Sequence, residues 1–370
     1  MKFFNGRSIL GISWVLYVFL ISSCTPPPKA DDRQDRARQV ISKMMDEKNI
    51  AGFAITIIQD GETVWSEGFG YANLELEVPV DPEKTMFRIG SVSKTFTAIG
   101  AARLFQKGSL DLQADARSYV PYFPEKRYPF TVAQVAGHNS GIRHYSGDPN
   151  EYASKRRYKS VEESLSIFME DSLLFEPGTQ HRYSSFGYNT MSAIIEGASG
   201  QNFIDYMQEE VFDAAGLLHT SADFTDSIIV GRSGHYEFDS AANKLVNTVF
   251  VDNSYKWAGG GFLSSSADIA RLGWAWHTNQ IVADTVKQLF LTDQQLKTGK
   301  FASYGLGWDL YDDLIVPSYG HGGTAVGGKA TLRVLPEYNM VIGIATNMWK
   351  IQYREELQEI VKIFLGMEDK

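Results

Sequence analysis

Phe87-Arg-Ile-Gly-Ser-Val-Ser-Lys-Thr-Phe-Thr-Ala98 is the stretch on which the reading of this chain turns. Met86 to Gly90 reads as a short extended segment, and Ser91 opens the helix that follows, with Phe96, Ile99, Ala102 and Leu104 continuing it. Ser91 and Lys94 then lie one turn apart on a shared face, so the lysine nitrogen can approach the hydroxyl. A serine in a first helical turn also feels the positive end of the helix dipole. A lysine desolvated beside it has a lowered pKa and can take the hydroxyl proton, which makes Ser91 a nucleophile and Lys94 its base. Ser-x-x-Lys alone is a weak signal, because serine commonly caps a helix and a lysine three residues on commonly faces solvent.

The surroundings of that stretch define a fold class. Upstream, Ala37, Val40, Ile41, Met44 and Met45 repeat at the spacing of one helical face. Ala54–Ile58 and Thr63–Phe69 then read as strands flanking Asp60-Gly61, a hairpin turn signal. The C-terminus mirrors this order. Strand Thr331–Leu335, a turn at Pro336–Asn339 and strand Met340–Thr346 precede a helix with Tyr353, Leu357, Ile360, Val361 and Phe364 on one face. Both ends therefore belong to one antiparallel β-sheet flanked by helices, an α/β (α+β) fold. Residues 95–225 read as an inserted, mainly helical lobe, with loops at Gly141, Gly147-Asp148-Pro149 and Pro177-Gly178. One catalytic domain spanning 35–370 is expected.

Composition agrees with a folded enzyme. With 44% hydrophobic and 21% charged residues the chain can bury a large core, so global disorder is excluded. The formal charge of −9 is interspersed, and no basic stripe suggests nucleic acid as a partner. Cys24 is the sole cysteine, which rules out a disulfide within the chain. The seven histidines show no His-Glu-x-x-His spacing, so no metal is implied and no cofactor is needed.

Several segments in order carry a family likeness. Phe87–Ala98 with Leu104-Phe-Gln-Lys-Gly-Ser-Leu-Asp-Leu112 resembles the nucleophile segment of the serine β-lactamase and penicillin-binding protein superfamily, nearest its class C branch and the related esterases and peptidases. Ala136-Gly-His-Asn-Ser-Gly-Ile142 resembles that family's "HTSG" loop. Phe175-Glu-Pro-Gly178 precedes Tyr183-Ser-Ser-Phe-Gly-Tyr188, which stands where the family carries Tyr-x-Asn. Ala258-Gly-Gly-Gly-Phe262 and Ser265–Ala270 follow. His321-Gly-Gly-Thr-Ala-Val-Gly327 stands in the place of Lys-Thr-Gly, in the His-x-Gly form of esterase and peptidase relatives. The likeness runs over residues 35–365.

The resemblance implies roles. Tyr183 would hydrogen-bond between Ser91 and Lys94 and relay the proton to the leaving group. The backbone N–H groups of Ser91 and Thr324 would form an oxyanion hole, with Gly322 and Gly323 letting the strand approach the bound carbonyl or marking a bulge. Ser185, His321, Gly322 and Gly323 would contact substrate. His138 and Asn139 read as loop-bracing residues. Two departures bear on specificity. Ser185 replaces the family's asparagine, whose amide usually contacts an acylamino group and the lysine, and His321 replaces a lysine, giving less fixed charge at neutral pH.

A serine hydrolase is the resulting reading, acting through an acyl-Ser91 intermediate on a small-molecule or peptide acyl substrate: an ester, a D-residue peptide, a related amide or a β-lactam. The alternative is a non-catalytic sensing or binding relative in which Ser185 marks decay. A phosphate loop fails because Arg88 and Ser93 occupy positions that need glycine. An α/β-hydrolase fails because no Gly-x-Ser-x-Gly elbow occurs.

The N-terminus adds an address. Lys2 and Arg7 precede the mainly apolar run Ser8–Ser22, which is short for a membrane span of about 20 residues. Ile21-Ser-Ser-Cys24 resembles a bacterial lipobox, which implies a signal peptide over 1–23, lipidation of Cys24 and a stiff tether over 24–34 containing Pro26-Pro27-Pro28. The chain is thus expected to be exported to the bacterial cell envelope and held at a membrane by its lipid.

Overall fold

A computed structural model describes residues 32–312 and 315–367. The expected signal peptide, Cys24 and most of the tether lie outside the described residues. Helix α1 (Asp32–Lys48) begins inside the stretch expected to be tether, because Asp32 and Asp35 suit the positive end of a helix and Asp32 pairs with Arg36 at 3.1 Å. Strands β1 (Gly52–Gln59) and β2 (Glu62–Asn73) form the hairpin, with Asp60 and Gly61 at φ 51° and 89° as a tight left-handed turn requires. After β3 (Val78–Pro79) and β4 (Phe87–Arg88), a 3₁₀ turn (Gly90–Val92) leads into α2 (Ser93–Gln106).

The lobe follows as α3 (Val132–Ala136), α4 (Pro149–Tyr152), α5 (Val161–Leu165), α6 (Ser185–Ser199) and α7 (Phe203–Met207). The chain then forms β5 (Thr220–Ala222), the hairpin of β6 (Tyr236–Asp239) and β7 (Lys244–Asn247), α8 (Trp257–Gly260) and β8 (Phe262–Ser264). Next come α9 (Ser266–His277), α10 (Asp284–Leu291), β9 (Asp309–Tyr311), β10 (Ser318–Ala325), β11 (Gly328–Leu335), β12 (Met340–Thr346) and α11 (Arg354–Leu365).

The main sheet has seven strands in the order β3-β2-β1-β12-β11-β10-β9, all antiparallel. The two chain ends meet at its centre, where Ile55 faces Ile344. One face sends Phe53, Ile55, Ile57, Ile342 and Ile344 into a core closed by Ala37 and Ile41 of α1 and Leu357, Val361 and Phe364 of α11. The other face packs Leu332, Val341 and Ala345 against Ile269, Ala270 and Trp276 of α9. Burial on both faces explains why β1 is an almost unbroken apolar run rather than an alternating one. A Cβ on Gly343 would stand 2.3 Å from the Ser266 carbonyl oxygen, so α9 lies directly on β12.

The lobe is tied back by a second sheet, in the order β4-β8-β5, which the sequence reading did not anticipate. Its strands are two or three residues long, too short to show a period of two. The sheet matters because β4 delivers the chain into the turn that carries Ser91. Within the lobe, α2 and α6 are buried on nearly every side and contact each other.

Candidate active site

Ser91 stands in the middle of the 3₁₀ turn between β4 and α2, two residues ahead of Ser93, where the α-helix begins. Gly90 makes the bend at φ 51°, and a Cβ there would come within 2.5 Å of the Thr324 backbone nitrogen. Gly323 completes the fit from the other side: its Cβ would lie 1.9 Å from the Ile89 carbonyl oxygen and 2.9 Å from the Ser91 nitrogen. Two glycines therefore let β10 press against the Ser91 turn, which brings the backbone of Thr324 beside that of Ser91. The N–H of a residue opening a helical turn has no partner within the turn, so it is free to point at a ligand.

Lys94 is fully buried, and its Nζ lies 3.0 Å from Ser91 Oγ, 3.3 Å from Ser185 Oγ and 2.5 Å from the Gly259 carbonyl oxygen. Burial pushes its pKa well below the ordinary lysine value; the Asp309 carboxylate opposes this, and the positive charge of Lys256 adds to it. A neutral amine has two N–H groups and one lone pair. The N–H groups reach toward Gly259 and Ser185, which leaves the lone pair for the Ser91 proton.

The Tyr183 hydroxyl donates to Ser91 Oγ at 2.8 Å. Burial raises its pKa well above 10, against a smaller opposing effect of the Ser91 bond, so it rests as a phenol. Tyr183 and Lys94 share Ser91 as hydrogen-bond partner; the lysine nitrogen lies over the tyrosine ring, 4.9 Å from its centroid. The geometry thus differs from a tyrosine bonded between serine and lysine. Both groups converge on one hydroxyl from different sides.

Two histidines hold the approach to α6. His138 Nδ1 accepts from the Ser184 backbone N–H at 3.2 Å, and His144 Nδ1 accepts from the Ser185 N–H at 3.0 Å. Both must be unprotonated at Nδ1 to accept. Burial lowers both pKa values, that of His144 to about 4. The Ser184 side chain caps α6 by accepting from the Gly187 N–H at 2.9 Å. His138 is therefore the brace expected from the sequence, whereas His144 went unnoticed. Ser185, though shorter than the asparagine usual at this place, still reaches the lysine, its Oγ 3.3 Å from Lys94 Nζ.

His321 lies deeper than its place in the motif suggested. It is the fourth residue of β10 rather than its start, is 3% exposed and does not line the cavity. Its Nδ1 lies 2.6 Å from the Gly322 carbonyl oxygen, which can only accept, so Nδ1 carries the proton and Nε2 accepts from the Tyr304 hydroxyl at 3.2 Å. Gly322 also departs from expectation, since a Cβ there would meet nothing within 4 Å. Of the two adjacent glycines on β10, only Gly323 makes the close approach.

A cavity of about 160 Å³ opens over Ser91, bounded by Tyr183 and Ser185 on the lobe side and Thr324–Val326 on the β10 side. Lys256, Tyr152 and Trp349 complete its wall, and none of them was singled out from sequence. A buried ion pair fixes the far rim: Arg88 Nε bonds Asp223 Oδ2 at 2.8 Å while its Nη1 donates to the Val326 carbonyl at 3.0 Å.

The beta-lactamase family model matches residues 37–362. The chain is 30% identical to the serine beta-lactamase-like protein LACTB, mitochondrial, of Mus musculus, over 85% of this chain and 75% of that protein. Among solved structures it superposes on the octameric penicillin-binding protein homologue from Pyrococcus abyssi with a TM-score of 0.78 at 24% identity, over 90% of this chain and 77% of the other. The D-amino acid amidase from Ochrobactrum anthropi SV3, complexed with L-phenylalanine, superposes with a TM-score of 0.76 at 19% identity, over 90% and 98% of the two chains. At these identities the likeness to the solved structures is one of fold.

Proposed function

The chain belongs to the beta-lactamase family, and from that premise we propose that it hydrolyses a compact acyl substrate through an acyl-Ser91 intermediate. The observation that carries this reading is the convergence of the buried Lys94 nitrogen, at 3.0 Å, and the Tyr183 hydroxyl, at 2.8 Å, on the one hydroxyl of Ser91; burial lowers the lysine pKa and raises that of the tyrosine, which suits them as base and acid. As Ser91 Oγ attacks the substrate carbonyl carbon, its proton passes to the Lys94 lone pair. The carbonyl oxygen gains negative charge, which the N–H groups of Ser91 and Thr324 would hold. Tyr183 then hands its proton to the leaving group and is reprotonated from Lys94, which restores the amine. Water attacks the acyl-enzyme by the same path in reverse, and the carboxylic acid leaves with Ser91 regenerated.

A cavity of about 160 Å³ is small beside the 300–1,000 Å³ typical of drug-sized ligands, which favours compact esters over bulky acylamino substrates. We also propose export and membrane attachment through a lipid on Cys24, a reading supported by the sequence of residues 1–24.

Intact mass spectrometry after brief exposure to aryl esters, D-Ala-D-Ala peptides and β-lactams tests the catalytic reading. An acyl adduct should form on the wild-type chain and be absent from Ser91→Ala, whose turnover should fall on the order of 10³-fold or more with an unchanged circular dichroism spectrum. An adduct of equal yield on Ser91→Ala would exclude this nucleophile.

A further inference from the structure

Lys256 is a lysine built into the wall of the cavity with no carboxylate paired to it among the described residues. It is 5% exposed and precedes α8, the short helix whose Gly259 carbonyl holds Lys94. Its Nζ donates to the Tyr152 carbonyl at 3.0 Å and lies 5.0 Å from the Tyr255 ring centroid. Among the described residues no carboxylate lies within 4 Å of it, and the cavity lining contains neither aspartate nor glutamate. Asp223, the carboxylate nearest in effect, takes bonds from Arg88 and from the Asn253 amide on its Oδ2, each at 2.8 Å, and forms no ion pair with Lys256. An ammonium offers three donors, and one is used. A buried charge without a partner is costly, so a lysine placed here for packing alone would be better replaced by an apolar residue.

We infer that Lys256 sets the specificity of this site for acyl donors bearing a free carboxylate on the acyl portion, which its ammonium would bind while Ser91 attacks the ester or amide carbonyl. The acyl side is assigned because Lys256 and the carbonyl that holds the base belong to the same segment, Lys256–Gly259, whereas the leaving group must face the Tyr183 hydroxyl that protonates it. Burial and the Arg88 charge lower the Lys256 pKa to about 7, opposed by Asp223, so an anion arriving there would favour the charged form. The inference rests on the acyl-transfer reading of the site.

Its test compares the phenyl monoester of glutaric acid with the methyl phenyl diester, in which the free carboxylate is methylated, each with the uncatalysed rate subtracted. Wild type should prefer the acid in kcat/KM by about tenfold or more, chiefly through KM. Lys256→Met should bring that ratio to about one, and Lys256→Arg should keep most of it. A wild-type ratio at or below one, or an unchanged ratio in Lys256→Met, overturns the inference. Should Lys256→Met fail to fold, inhibition of wild type decides: N-methylglutaramic acid should compete with the neutral ester more strongly than its methyl ester, and equal inhibition overturns the inference. Turnover lost in Ser91→Ala but lacking carboxylate preference refutes this proposal alone. Turnover retained in Ser91→Ala refutes the acyl-Ser91 reading and this proposal with it.

Discussion

In the proposed mechanism Ser91, Lys94 and Tyr183 divide one proton transfer among three side chains, and burial lowers the pKa of the lysine while raising that of the tyrosine. Because Lys94 and Tyr183 both act through the Ser91 hydroxyl, their removals should not multiply. Lys94→Ala and Tyr183→Phe are each expected to cost about 10²–10⁴-fold in kcat, and the double variant little more than the worse single one; independent factors in a double-mutant cycle would dissociate the two roles. The lowered pKa of Lys94 also couples to stability. Between its folded pKa and the ordinary lysine value the unfolded chain binds the extra proton, so stability conferred on wild type rises with pH in that window and the cost of burying the charge is greatest below it. Lys94→Met removes this dependence. The stability of the variant relative to wild type should therefore fall as the pH rises toward the ordinary lysine value of 10.5, as read by denaturant titration at several pH values. A difference independent of pH would show that Lys94 is not neutralised by folding.

At the level of elements, the site is a junction of three pieces: the turn after β4, the start of α6 and the middle of β10. The junction closes only because β10 carries no side chain at Gly323, where a Cβ would overlap the Ile89 carbonyl. Gly323→Ala must move the strand or the Ser91 turn. Loss of stability of about 1–3 kcal/mol is expected, with a fall in kcat on the order of 10²-fold from misplaced oxyanion donors. Gly322→Ala, at a position open to 4 Å, serves as the contrast, and its melting temperature should stay near that of wild type. Equal melting temperatures for the two variants would remove the special role of Gly323. The Arg88–Asp223 pair works at the same scale, since it fastens the end of β4 to the turn between β10 and β11 through Val326.

For the whole molecule, the expectation of a lipid anchor places the catalytic domain at a membrane by way of Cys24. Labelled palmitate should enter the wild-type protein, and Cys24→Ser should release it to the soluble fraction; label retained by the variant would refute lipidation there. Much of the architecture was legible in the chain because its signals are local. The Asp60-Gly61 turn, the apolar faces of α1 and α11 and the pairing of the chain ends all follow from spacing that a reader can count. The proximity of Ser91 to Lys94 was legible for the same reason, as one turn of helix. Tyr183 and Thr324 were reached only through family likeness, since nothing in their own neighbourhoods marks them. Lys256, His144 and the Gly259 carbonyl were out of reach, and His321 was misplaced in the cavity wall, because each depends on contacts between segments far apart in sequence. Residue order by itself determined the helix-and-hairpin framework and the Ser91–Lys94 step, which are products of backbone periodicity. Burial, and with it the lowered pKa of Lys94, the phenol form of Tyr183 and the lack of a carboxylate beside Lys256, was decided only when the lobe, α8 and β10 closed around one another and excluded water.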